Sequence, residues 1–400
     1  MTAAVFGELI GQETVVEQLR LAAAAAASRA PGGSPPSGAA PAGAGMTHAW
    51  LFTGPPGSGR SVAARAFAAA LLCADQGCGQ CPSCHQVAAG SHADLLLIRP
   101  DGLSYGVRQT RDLVLRAAAA PVYGRWRVVL FEDADRATEQ AANALLKAIE
   151  EPAPRTVWLL CAPSADDLPT TIRSRCRLVT LRTPPTAAVA EVLVRSGVSE
   201  DAALAAARAA QGHIGRARRL AIDPQTASRR AEVLKVPMQV SGGLGHALAS
   251  AADLVKAAEA EAAAITEELD IPERDALRRA FGEGSTGKGV ATAVRGAAGA
   301  LKELEDRQKS RATRLKRDAL DRALLDLAGV YRDVLAVQFG ADVELANAAR
   351  REELEQVAVI SRPETTVRRI EAIMKCRERL AASVAPLLAV EEMTLALAAR

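Results

Sequence analysis

Aromatic residues are scarce: 3 Trp, 3 Tyr and 6 Phe make up 3% of 400 residues, although 49% of the chain is hydrophobic. Alanine carries much of that apolar count. This points to helices packed through small residues and away from an aromatic-rich β-sandwich. Charge of one sign is also lacking, with 49 basic against 46 acidic residues and a net charge of +3. Such a chain does not coat nucleic acid by bulk charge; any DNA contact needs a local surface or an assembly. No stretch reaches 18 strongly apolar residues, and the alanine run at 22–27 is too short to span a bilayer. The opening MTAAVFGELIGQE lacks a basic segment followed by an apolar one, so no signal peptide is expected. The expected compartment is the cytoplasm, with no membrane partner, where thiols stay reduced.

What is present is enough chain for two to four domains of about 100–200 residues each. A charged fraction of 24% excludes a wholly disordered chain. Apolar spacing predicts a first helix over about Glu13–Arg29, and residues 31–45, all Pro, Gly, Ser or Ala, read as a flexible insertion. Five short apolar runs follow: Ala49–Thr53, Asp94–Arg99, Arg127–Phe131, Thr156–Cys161 and Leu178–Leu181. Helix-like segments separate most of them, which predicts an α/β fold with a parallel sheet covered on both faces. Residues 187–220 read as short helices broken at Gly197 and Gly212. From about 226 the pattern is helical, with interruptions expected at Gly242–Gly245, Pro272 and 282–289.

A phosphate-loop pattern spans Gly54-Pro55-Pro56-Gly57-Ser58-Gly59-Arg60-Ser61, between a strand and a helix. Gly54, Gly57 and Gly59 let backbone N–H groups converge on phosphate oxygens at the positive end of the helix. Ser61 has the hydroxyl that would meet Mg²⁺. Arg60 stands where lysine is expected, and its planar fork is no equivalent of a compact ammonium. The loop therefore leaves ATP and Mg²⁺ binding open and counts against hydrolysis. Across the sheet, Val128–Phe131 leads to Glu132-Asp133 where an ATPase carries Asp then Glu. Asp133 is one methylene short of a water-positioning glutamate, and misplacement by about 1 Å can cost about a hundredfold in rate. A second glycine-rich stretch, Gly282–Gly289, follows a helix and reads as a plain loop.

Cys73, Cys78, Cys81 and Cys84 have the spacing C-x4-C-x2-C-x2-C. Four thiolates in so short a loop can enclose one tetrahedral zinc with no position open for water, a structural site. Iron–sulfur is the rival, but its usual spacing differs. His85 is redundant as a ligand; Cys161, Cys176 and Cys376 read as small buried residues. Further on, Arg173 and Arg175 flank Ser174 between the fourth and fifth strands. An arginine reaching a neighbour's γ-phosphate stabilises transition-state charge, but the pair alone is a weak signal.

Together the segments form a pattern: Phe6–Glu13, the phosphate loop, the cysteine module, Asn143-Ala144-Leu145-Leu146-Lys147-Ala148-Ile149-Glu150-Glu151-Pro152 and Ser174-Arg175-Cys176. The chain resembles the bacterial clamp-loader subunits of the AAA+ class, specifically the delta-prime subunits of DNA polymerase III. The likeness is close over about 5–220 and looser beyond, where Tyr331–Leu335 and Ala385–Leu397 look like family helices. It implies an AAA+ P-loop-type domain over 1–182 with an inserted zinc module at 73–84, a helical lid over 183–228 and an all-α collar over 229–400. By the same resemblance, Arg216 in Gly212–Ala217 approaches nucleotide at the subunit's own loop. Arg175 is given in trans to a neighbouring motor subunit, and the subunit itself is a stator without ATPase activity. Implied partners are the gamma/tau and delta subunits in a hetero-pentamer, the sliding clamp, and primer-template DNA met through the assembly.

Two other readings stand beside this one. An ATP-hydrolysing gamma/tau-like motor requires Arg60 to be tolerated. A free-standing zinc-stabilised DNA-binding protein is disfavoured by the near-neutral charge and the lack of interleaved aromatics. Arg108, Arg111 and Arg116 are placed to face DNA inside a ring, whereas Lys309–Lys316 reads as a solvated helix face. The stripe of Leu324, Leu325, Leu327, Val330, Val334 and Leu335 is first of all core packing.

Overall fold

A computed structural model describes residues 4–28, 45–100, 102–280 and 290–399. The insertion at 31–45, apart from Gly45, and the glycine-rich stretch at 282–289 lie outside the described residues. The chain divides into two compact units, residues 1–100 with 104–218, and residues 101–103 with 219–400.

In the first unit the elements run α1 (Glu13–Ala27), β1 (Ala49–Thr53), α2 (Arg60–Leu72), α3 (Pro82–Ala89), β2 (Leu95–Ile98) and α4 (Val107–Ala117). They continue with β3 (Arg127–Phe131), α5 (Glu139–Glu150), β4 (Thr156–Ala162), α6 (Thr170–Arg173), β5 (Arg177–Thr180), α7 (Thr186–Arg195), α8 (Glu200–Ala210) and α9 (Ile214–Ile222), whose last residues enter the second unit. All five apolar runs are strands of one parallel sheet, in the order β2-β3-β4-β1-β5. Their near-continuous hydrophobicity has a simple cause: both faces are covered. Trp50, Phe52, Val128, Leu130, Val157 and Leu159 pack with α1 and α2 on one side. Leu51, Val129, Phe131, Trp158 and Leu160 pack with α4 and α5 on the other. The alanines of α2 explain the scarcity of aromatics. Ala63, Ala64, Ala66, Ala68, Ala69 and Ala70 are all buried, so this helix meets its neighbours through methyl groups.

Sheet order positions the chemistry. β1 and β3 both pair with β4, so the loop after β1 and the acidic pair after β3 emerge at the same carboxyl edge, one strand apart. That edge is where open parallel sheets bind ligands. The turn leading to α5 is closed by Thr138, whose hydroxyl accepts the Ala141 N–H, an N-cap worth about 1 kcal/mol. Together these features make an α/β domain whose glycine-rich loop lies at the ligand-binding edge of a parallel sheet.

The second unit is wholly helical among its described residues: α10 (Pro224–Val233), α11 (Val236–Val240), α12 (Leu244–Ala280), α13 (Val290–Gln338), α14 (Arg351–Ile360), α15 (Pro363–Ala381) and α16 (Pro386–Ala398), with one 3-10 turn before α14. Its core includes Leu324, Leu327, Val330, Tyr331 and Val334 of α13, against Ile373, Cys376, Val390 and Met393. Leu324, Leu327, Val330 and Val334 of the stripe are therefore core packing, whereas Leu325 and Leu335 are partly exposed and stand outside this core. The break near Gly242 is a turn between α11 and α12.

The expected interruption at Pro272 does not occur; α12 runs straight through it. Proline removes one helix N–H and crowds the carbonyl four residues back. Here α13 holds the turn from outside. Arg311 pairs with Asp270 and Glu273, each at 2.5 Å, and Gln308 donates to the Asp270 carbonyl at 3.2 Å while accepting from Arg274 at 2.7 Å. The basic segment 309–316 is correspondingly spoken for: besides Arg311, Lys316 pairs with Glu259 and Arg314 with Asp318.

Candidate functional site

The phosphate loop keeps its backbone geometry. Gly59, at φ +91°, precedes α2 and offers no side-chain cap, so the first N–H groups of a 13-residue helix face outward. Gly57, at φ +90°, lies directly against His213; a Cβ there would sit 2.5 Å from the His213 Cβ. No side chain fits at that contact. The loop borders a cavity of about 280 Å³, shared with Glu8, Leu9, Gln12, Val192, Ile214 and Arg218. Ser61 and Arg60 line it as well. Gln12 sets the wall by holding the strand that leaves β5: its amide donates to the Arg182 carbonyl at 2.6 Å and accepts the Arg182 N–H at 3.2 Å. The basic residue of α9 that borders the cavity is Arg218, two positions beyond Arg216. Arg216 instead donates its backbone N–H to His213 Nδ1 at 3.2 Å.

The acidic pair is arranged differently. Glu132 is ion-paired with Arg99 at 2.9 Å and with Arg65 at 3.3 Å, and its side chain is only 12% exposed. Asp133 has φ +49° and pairs with Arg136 at 3.7 Å. Burial pushes the carboxyl of Asp135 up; Asp133 adds to this, and Arg136 and Arg60 oppose it. Mg²⁺ does not fit this donor set. The carboxylate that would hold it already faces two guanidinium groups. Neither arginine was singled out from sequence, because each lies far along the chain from Glu132. Arg99 had a signal nonetheless: Ile98 pairs in register with Phe131, so Arg99 and Glu132 leave adjacent strands side by side.

The four cysteines do come together. Cys73 follows the last turn of α2 and Cys81 caps α3. Their four Sγ atoms, with those of Cys78 and Cys84, lie within 4.8 Å of one another, the one such cluster of possible metal ligands among the described residues. Cys73 is 3.7 Å from Cys78 and 3.6 Å from Cys81. A tetrahedral zinc with Zn–S bonds of about 2.3 Å needs S···S separations of about 3.8 Å, which these match. Gly79 and Cys84 donate N–H groups to Cys84 and Cys81 sulfurs at 3.4 Å, as thiolate charge requires. Burial pushes the Cys73 thiol up, but N–H donors from Cys78, Gly77 and Asp75 outweigh it and hold the group at about 7. The residues fit a structural metal that would tie the end of α2 to the start of α3. Cys161, Cys176 and Cys376 are buried elsewhere.

Next to the module, Asp94 is fully buried and accepts N–H bonds from Val122 at 2.5 Å and from Tyr123 and Gly124 at 2.8 Å. It fixes the loop after α4, which bears exposed Arg108, Arg111 and Arg116.

Arg175 stands at the end of α6. Its side chain is 38% exposed, paired with Glu150 at 2.7 Å and donating to the Thr171 carbonyl at 2.8 Å. Glu150 ends α5, so two of the motif segments that carry the resemblance meet in this ion pair. Arg173 turns instead to Asp166.

Residues 42–185 match the family described as DNA polymerase III, delta subunit. A delta' subunit of DNA polymerase III from Pseudomonas aeruginosa is 40% identical over 161 residues, covering 39% of this chain and 49% of that one. A delta' subunit from Bacillus subtilis is 31% identical over 205 residues, covering 50% of this chain and 62% of its own. A gamma/tau subunit from Mycobacterium bovis is 33% identical over 196 residues, covering 48% and 31%. The chain thus spans about half the length of the delta' relatives it matches. The matched residues, 42–185, include the phosphate loop, the cysteine module, the acidic pair and Arg175.

Proposed function

We propose that this chain is the delta-prime subunit of a DNA polymerase III clamp loader, serving as a stator that hydrolyses no ATP itself. In this reading it assembles with gamma/tau and delta subunits in a hetero-pentamer that loads the sliding clamp onto primed DNA. The sheet domain is followed by a lid over 183–228 and a collar over 229–400 that joins the subunits. Arg175 is extended to the ATP site of the neighbouring motor subunit.

The observation that carries this reading is the contrast between two sets of charges. Glu132 is held by Arg65 and Arg99, which takes the metal-binding carboxylate out of use. Arg175 is half exposed and rests on a single surface carboxylate, Glu150. An exposed pair of this kind is worth at most about 1 kcal/mol, so Arg175 is released at little cost when a phosphate is presented. A motor subunit would need the opposite arrangement, with the acidic pair free.

The test is ATP turnover by a reconstituted loader with clamp and primed DNA, comparing the wild-type chain with Arg175→Ala. The site completed by this arginine should lose about 10³-fold or more in rate, and total turnover should fall by that site's share while the complex stays assembled. Unchanged turnover would remove Arg175 from the reaction.

A further inference from the structure

The loop between α4 and β3 carries Val122 and Tyr123, which are 64% and 82% exposed. Side chains so far out in water do not hold their own backbone in place. The backbone is held from behind, at two points. Asp94, fully buried just before β2, accepts the N–H groups of Val122, Tyr123 and Gly124 with its carboxylate. Gly124 also lies against the last residue of α2: a Cβ there would sit 3.3 Å from Cδ2 of Leu72.

Both supports lead to the cysteine module. Leu72 is joined directly to Cys73, the first of the four. Asp94 is reached through His92, which is 4% exposed. His92 Nδ1 accepts the Asp94 N–H at 3.0 Å. A ring with one acceptor nitrogen carries its proton on the other, so Nε2 donates to Ser83 Oγ, 3.1 Å away. Ser83 lies in the first turn of α3, between Cys81 and Cys84. A metal that ties the end of α2 to the start of α3 therefore fixes the spacing of the two supports. Thiols are weak hydrogen-bonding groups, and alone they hold those helix ends together poorly. The one hold on Asp94 outside this path is Arg127, at 3.4 Å.

We infer that metal occupancy of the cysteine module sets the order of the loop at 122–124, with His92 as the positioning residue that links α3 to Asp94. With metal bound, the loop presents Val122 and Tyr123 in one arrangement. Without it, Leu72 and Asp94 lose their fixed spacing and the three N–H groups open to water. A fixed arrangement lowers the ordering cost of a contact made through these two side chains. The link is an equilibrium coupling, so it runs both ways: a change at Asp94 alters the hold on the metal.

The experiment is amide hydrogen exchange of the full chain, zinc-loaded and after zinc removal by a chelator, with the amides of β1 and β4 as reference. Zinc removal should speed exchange at Val122, Tyr123 and Gly124 by about tenfold or more beyond any change in the strands. His92→Phe keeps all four cysteines and should release the same three amides, by about fivefold or more, while zinc stays bound. Ser83→Ala cuts the same link more mildly and serves if the buried substitution does not fold. Asp94→Asn, shown folded by circular dichroism, should bind zinc about fivefold or more weakly in competition with a chelator. Loop exchange that merely follows the strands on zinc removal would overturn the inference and leave the metal a plain staple. So would wild-type loop exchange in both zinc-loaded variants, which would leave Asp94 to Arg127, or wild-type zinc affinity in Asp94→Asn.

Discussion

Two clusters of metal-binding residue types lie in one domain, and their fates differ. The cysteine cluster turns its four sulfurs toward one point, at separations a zinc ion spans. The acidic pair after β3 turns instead to arginines, with Glu132 bound by Arg65 and Arg99. The first arrangement has no internal substitute for the ion: four buried or half-buried thiols gain nothing from one another's company. The second has a substitute built in. Ligand-type residues are thus no sign of a ligand until their partners are known, and here the partners separate a cluster that could hold a metal ion from an acidic pair whose first carboxylate already faces two arginines.

The comparison predicts unequal costs. Cys84→Ser should be the most damaging change, lowering stability by more than about 3 kcal/mol, as expected when a structural metal is lost. Zinc content and thermal unfolding would read it, and a zinc-free wild-type chain of unchanged stability would break the comparison. Next comes Asp94, whose carboxylate is buried with three backbone N–H donors. Asp94→Ala should cost about 3 kcal/mol by orphaning those donors. Burial acts to raise this carboxyl, but the N–H groups of Val122, Gly124 and Tyr123 outweigh it and hold it below the usual carboxylate range. Its contribution is therefore present above the unfolded value of about 3.9 and is lost as pH falls from there through the lower folded value. Acid unfolding of wild type and Asp94→Ala should converge below about pH 4; parallel curves would contradict the assignment. Glu132→Gln should have the smallest effect, within about 1 kcal/mol, because its arginine partners are partly exposed. A loss as large as that of Asp94 would mean that the acidic pair is a structural element and not a neutralised remnant.

Much of this was legible in the sequence, for identifiable reasons. Strands buried on both faces leave continuous apolar runs, so β1 and β3 are found at their residue limits. The cysteine spacing places all four sulfurs because the loop is too short to hold them apart. Pro272 misled because the residues that carry α12 past it, Gln308 and Arg311, lie more than thirty positions away. The same holds for Arg65 and Arg99. Glu132-Asp133 looks like an acid pair in the wrong order, and only strand register shows that Arg99 lies beside Glu132. Arg218 escaped notice because a helix places every third or fourth residue on one face, and no local signal fixes which arginine of α9 borders the loop.

The central claim is that this chain serves a neighbour's ATP site and not its own. The direct measurement is ATP turnover by the reconstituted loader, comparing Arg175→Ala with a Glu132→Gln, Asp133→Asn variant of the same chain. The account predicts that turnover falls with Arg175→Ala and stays at the wild-type level with the acidic pair neutralised. A fall with the acidic pair neutralised, and none with Arg175→Ala, would make this chain a motor subunit and contradict the account.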